Sequence, residues 1–135
     1  MKTIIIGKKS LLTKYLTLNN KNSIVFPARH ESDLKNVLDY VNKSKIKINL
    51  ILNNFYPSAY INKITPKKYL NFYNQFLIFN AEMFSKLDVT KINKIIYSSS
   101  SSVYNSIRKD YQFIDTNNKS LYSSTKIAAE NLIYN

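Results

Sequence analysis

An α/β domain with a doubly wound parallel sheet is the fold this sequence predicts. Three observations carry it. The strand-like runs are short and almost wholly apolar, as suits strands covered on both faces. Segments whose apolar residues recur at helical spacing separate them. A chain of 135 residues is long enough for one real core and leaves no room for a second full domain.

Residues 3–6 are a β-branched apolar run followed by Gly7 as a turn residue. From residue 10 to 18, Leu11, Leu12, Tyr15 and Leu16 fall at helical spacing, and Asn19-Asn20-Lys21-Asn22 breaks the pattern. Residues 23–26 read as a second strand stopped by Pro27. Ser32 is the expected N-cap of a helix running to residue 43, with Leu34, Val37, Leu38 and Val41 on one face. Ile48–Leu52 is the third strand, closed by Asn53-Asn54. Thr65-Pro66 has the form of a helix start, a capping residue and then proline at the first helical position. Tyr69, Tyr73, Phe76, Asn80, Met83, Phe84 and Leu87 then extend a long amphipathic helix. Residues 94–97 are a fourth strand, and a last helix runs from residue 120 to the C-terminus with Leu121, Ala128, Ala129, Leu132 and Ile133 apolar. Strands alternating with helices pair in parallel, and right-handed crossovers wind helices onto both faces. The expected fold is Rossmann-like, with the first strand near the centre of the sheet.

Composition narrows the function classes. Cysteine is absent, which excludes disulfides and thiolate chemistry. The one histidine is His30 and the acids are scattered without ligand spacing, so no metal site is expected. The first residues have too short an apolar run for a secretory signal, and no segment approaches the roughly 20 apolar residues of a membrane span. A soluble cytoplasmic protein is expected. Lys and Arg number 20 against 8 acids, giving a formal charge of +12. The lysines are spread along the chain with no run above two, which favours a solvated basic surface over a groove for nucleic acid.

The residues that carry chemistry lie near the end. Tyr122 and Lys126 are four apart and share a helix face. A free phenol has a pKa of about 10, and lowering it by about three units needs about 4 kcal/mol of differential stabilisation, which a neighbouring ammonium favours. The strand 94–97 runs into Ser98-Ser99-Ser100-Ser101-Ser102-Val103-Tyr104, so hydroxyls stand at its end. A hydroxyl from Ser100 and the phenol of Tyr122 suit removal of a proton from a substrate hydroxyl while hydride leaves its carbon. With 11 tyrosines and many lysines, Tyr-x-x-x-Lys alone arises easily by chance. The preceding strand, serines and Val-Tyr element give the pair its weight, as does the continuation Ile127-Ala128-Ala129-Glu130.

On these motifs the chain resembles the N-terminal portion of extended short-chain dehydrogenases/reductases, the NAD-dependent epimerase/dehydratase kind that acts on sugar nucleotides. The resemblance implies that Ser100, three residues before Val103, is the catalytic hydroxyl, with Ser99 and Ser101 as less favoured neighbours. It implies Tyr122 and Lys126 as the catalytic tyrosine and lysine, Lys126 also bonding the nicotinamide ribose. Asn105 replaces the glycine usual after Tyr104. Asn53 matches the residue opening the cofactor-contacting loop, and Asn74 and Asn80 fall where the long helix carries asparagines. The glycine motif falls on Gly7, Ser10 and Thr13, so only its first glycine survives, and side chains stand where backbone approaches pyrophosphate. Arg29, past the second strand, is the candidate partner of a 2′-phosphate. The stretch from Gly7 to Asn53 is short by about one strand or its helix.

The resemblance further implies NAD or NADP as cofactor, a nucleotide-sugar substrate and a homodimer through the long helix and the Tyr122 helix, where Phe72, Phe79 and Ile127 add apolar surface. It implies that residues 1–135 are an incomplete cofactor-binding domain without the substrate domain. Two other readings stand beside it: a non-catalytic module that binds a nucleotide or a partner chain, and a small basic nucleic-acid-binding protein.

Overall fold

The computed structural model describes residues 1–54, 70, 73–100 and 121–134 of the chain. Its four strands are β1 (Lys2–Ile6), β2 (Ser23–Phe26), β3 (Ile48–Leu52) and β4 (Ile92–Tyr97), all parallel in the order β2-β1-β3-β4. Helices α1 (Leu11–Asn19) and α2 (Glu31–Asn42) connect the first three strands. A π-helical turn (Asn74–Ile78) leads into α3 (Phe79–Lys86), and α4 (Leu121–Tyr134) follows β4. The expected doubly wound α/β fold is present, with β1 inside the sheet and one strand, β2, beyond it.

Two boundaries differ from the sequence reading for identifiable reasons. The N-cap of α2 is His30, in extended conformation, rather than Ser32. Asp33 reaches back so that its carboxylate accepts from the backbone N–H of Arg29 (3.0 Å) and His30 (3.1 Å), which ties down the turn before Ser32 can cap it. The fourth strand starts at Ile92 instead of residue 94. Ile48 pairs with Ile92 and Asn49 with Lys94, so Asn93 is the extra residue of a bulge that no alternating pattern reveals. The proposed helix start at Thr65-Pro66 lies outside the described residues.

The core sits on one face of the sheet. Ile4, Ile6, Ile48, Leu50 and Leu52 pack against Leu34, Val37 and Val41 of α2 and Phe79 and Met83 of α3, all buried. Burial is worth about 1.5–3 kcal/mol for each such side chain, so this face dominates the stability. Phe79 was expected on the outer surface; it is four residues before Met83 on the same helix face and is in the core instead. The β1-to-β2 crossover runs opposite to the β2-to-β3 crossover, so α1 covers the other face. That face is thinly clad. Ile5 is buried, but Ile96, in register with Ile51 and Ile5, is 46% exposed, and Leu11, Tyr15 and Leu18 of α1 are exposed.

Candidate active and cofactor site

Parallel strands bring all four C-terminal ends to one edge, and the ladder continues one residue past each strand there. Gly7 N–H donates to Phe26 (2.9 Å), Asn53 N–H to Ile6 (2.8 Å) and Ser98 N–H to Leu52 (3.2 Å). Gly7, Asn53 and Ser98 therefore stand side by side at the edge where doubly wound sheets take their ligands.

The β1–α1 turn is built on Gly7. Its φ is +118°, and a Cβ there would lie 2.1 Å from the Asn53 carbonyl oxygen, so no other residue fits. Ser10 is the N-cap of α1, and its side chain makes no capping bond. Thr13 is buried, and its hydroxyl donates to the Gly7 carbonyl (2.8 Å). The Asn53 side-chain amide donates to both hydroxyls, at 2.9 Å to Ser10 and 2.8 Å to Thr13. Ser10 and Thr13 are thus both bound to Asn53, which is itself buried. Thr13 has committed its proton to Gly7. Ser10, which accepts from Asn53 and is half-buried, keeps its own proton to give. Arg29 is exposed at the start of α2 and is separate from this network.

Beside it Asn80, already singled out on the long helix, meets Asn54, which the sequence reading took only as the end of the strand. The Asn54 side-chain amide donates to the buried Asn80 of α3 (3.1 Å), while Asn54 Oδ1 is buried without a hydrogen-bond partner among the described residues. The doubled asparagine at the end of β3 was the available signal, and it reads equally as a turn. Asn74 is exposed on the π-helical turn.

The other half of the edge joins β4 to α4. Lys126 is 1% exposed, and its ammonium donates to the Ser98 carbonyl at 2.6 Å. The same nitrogen lies 5.1 Å from the Tyr97 ring centre and 5.6 Å from that of Tyr122. Burial pushes the Lys126 ammonium down to a pKa of about 7, against the opposing pull of the Glu130 carboxylate. Burial also raises the Tyr97 phenol far above its ordinary range, with Glu130 and Tyr122 adding to the rise. Glu130 is buried and accepts a hydrogen bond from the Ser99 hydroxyl. Tyr122 is half-buried, as is Ser100, two residues beyond the Ser98 carbonyl. Val103, Tyr104 and Asn105 lie outside the described residues.

The structure therefore gathers Gly7, Ser10, Thr13 and Asn53 in one cluster and Tyr122 and Lys126 in another, on the same edge of the sheet. Two solved structures match the fold along almost the whole chain. One is a short-chain dehydrogenase/reductase superfamily protein from Agrobacterium tumefaciens with bound NAD (TM-score 0.64, 11% identity, 98% of this chain and 44% of that one). The other is a mutant UDP-glucuronic acid 4-epimerase from Bacillus cereus in complex with UDP-4-deoxy-4-fluoro-glucuronic acid and NAD (TM-score 0.59, 14% identity, 99% of this chain and 51% of that one). The chain has their fold. It spans about half the length of each. No protein-family model and no curated protein matches the sequence. Among the described residues no helix is long and apolar enough to cross a membrane, and no cluster of His, Cys, Asp and Glu suits a metal ion.

Proposed function

We propose that the chain is the cofactor-binding half of an NAD- or NADP-dependent oxidoreductase, epimerase or dehydratase acting on a nucleotide-sugar. The observation that carries this reading is the buried Lys126 ammonium, held between the Tyr122 ring and the Ser98 carbonyl. A cation there favours the phenolate of Tyr122, which takes the proton of a substrate hydroxyl, while Ser100 bonds the same oxygen. Lys126 and Tyr122 also face the nicotinamide ribose in this reading.

A dinucleotide fits the chain's own residues on two counts. Gly7 keeps the tight turn, and the first turn of α1 is left uncapped by the Ser10 side chain. Ser10 stands at the edge where a pyrophosphate approaches and its side chain weakens that contact, Thr13 and Asn53 shape the turn beneath it, and Arg29 meets a 2′-phosphate if the cofactor is NADP. When bound, the nicotinamide supplies the hydride acceptor. The chain's part is to orient, to hold the proton at Tyr122 and to keep Lys126 buried.

The Ser10–Asn53–Thr13 network favours one second reading, a module that binds nucleotide weakly and catalyses nothing. Basic charge gives less support to nucleic acid. Lys43 is paired with Asp39 (3.2 Å), and Lys47 and Lys2 donate to the Thr90 carbonyl and the Tyr40 hydroxyl. A homodimer through α3 and α4 remains part of the proposal, now without Phe79; Ile127 is half-buried, and Phe72 lies outside the described residues.

Calorimetric titration with NAD and with NADP, repeated with Lys126→Met, tests the reading. Binding that Lys126→Met weakens supports it. No binding of either dinucleotide at millimolar concentration overturns the enzyme reading and the weak-binding module together.

A further inference from the structure

Two consecutive residues at the exit of β4 are each gripped from α4. The Ser98 carbonyl accepts from Lys126, and the Ser99 hydroxyl donates to Glu130, one helical turn further on. A third bond, long at 3.5 Å, runs from the Tyr97 hydroxyl to the Lys126 carbonyl. Lys126 and Glu130 lie four apart on one helix face, and both are buried. Lys126 and Glu130 make no direct ion pair with each other. The carboxylate thus acts on the ammonium through space while its own hydrogen bond goes to the strand.

Ser100 follows immediately after the gripped pair. Holding Ser98 and Ser99 therefore restrains the backbone from which the candidate catalytic hydroxyl projects. The same carboxylate is the charged group that opposes desolvation of Lys126. Among the described residues, Tyr97 from β4 and Tyr122 from its own helix also face Lys126. The charged residues of the neighbouring α3, Glu82 and Lys86, are exposed.

We propose that Glu130 is a positioning residue of the site, fixing the end of β4 through Ser99 while holding Lys126 as a cation beneath Tyr122. One residue then couples where the Ser100 hydroxyl sits to whether the neighbouring ammonium is charged. The inference rests on the proposed function for its purpose, but its test does not need cofactor or turnover.

The test is NMR of the chain with isotope-labelled lysine side chains, the Lys126 signal being assigned by its loss in Lys126→Met. Glu130→Gln keeps an oxygen to accept from Ser99 but removes the charge. The Lys126 titration midpoint should fall by about one unit, and Ser99→Ala, which keeps the charge, should leave it near its wild-type value. An unmoved midpoint in Glu130→Gln, or an equal fall in both variants, overturns the proposal. Should Glu130→Gln fail to fold, Glu130→Asp decides instead, and a fall there of about one unit overturns the proposal. Glu130→Asp, which keeps the charge on a shorter arm, should restore most of the midpoint. Failure of the dinucleotide titration with these results intact would sink the proposed function and leave the coupling standing.

Discussion

The β1–α1 turn and the β4–α4 junction are neighbours on one edge of the sheet, and both bury polar side chains, yet they solve burial in opposite ways. At the turn every group is neutral, and Gly7, Thr13, Asn53 and Ser10 satisfy one another within hydrogen-bonding distance. At the junction a lysine and a glutamate are buried without pairing directly, each bonded to the strand instead. The first arrangement is stable at any ordinary pH and spends its donors internally, the Ser10 hydroxyl excepted. The second holds an ammonium near neutrality and so stays responsive to its surroundings. Self-satisfied polar groups make a scaffold, whereas groups held away from their natural partner make chemistry possible.

Breaking the scaffold side should have the largest effect. Gly7→Ala forces an unfavourable φ and drives a Cβ into the Asn53 carbonyl. Strain and overpacking together should cost on the order of 4–5 kcal/mol in urea denaturation. A loss under about 1 kcal/mol would show that the turn relaxes freely and is no scaffold.

The junction should reveal itself through pH. Lys126 has a pKa of about 7 in the fold against an ordinary 10.5. Between those values the unfolded chain binds more protons, so stability should rise as pH increases from about 7 toward 10. Tyr97 acts oppositely: its raised pKa keeps the proton on the folded state, so its contribution is lost as pH climbs past the ordinary 10.0. The rising limb should amount to about 4 kcal/mol, and it should be missing from Lys126→Met when the two are compared by denaturation across that range. Parallel curves would mean that Lys126 is solvated.

A smaller loss is expected at Asn53, whose two donated bonds hold the turn closed. Asn53→Ala should cost about 2 kcal/mol, with no change in the pH dependence of stability. Any change in that dependence would show that the two clusters act as one.

The smallest effect concerns Ser10. Ser10→Gly removes a side chain from the edge where, in the proposed function, backbone approaches pyrophosphate. Dinucleotide affinity should rise about fivefold by calorimetry, close to 1 kcal/mol. An equal or greater fall would make the Ser10 hydroxyl a phosphate ligand outright. Thr13→Gly should not share the gain, because the Thr13 hydroxyl is tied to Gly7 beneath the turn.

The sequence by itself determined the fold class, because four apolar runs separated by helical periodicity leave few arrangements other than a parallel doubly wound sheet. It also placed Tyr122 and Lys126 on one helix face and Gly7 at the first turn, since these depend on local spacing alone. Tertiary structure decided the rest. That Asn53 would bind Ser10 and Thr13, 43 and 40 residues away, follows from β1 and β3 being neighbours. That Glu130 would hold Ser99 depends on how α4 lies against the end of β4. Phe79 read as surplus surface because uniform periodicity assigns a narrow stripe, while the packing of α3 against the sheet buries a wider one. Spacing along the chain fixes which side chains share a face; which groups that face meets, and whether water is left between them, is fixed only when the elements pack.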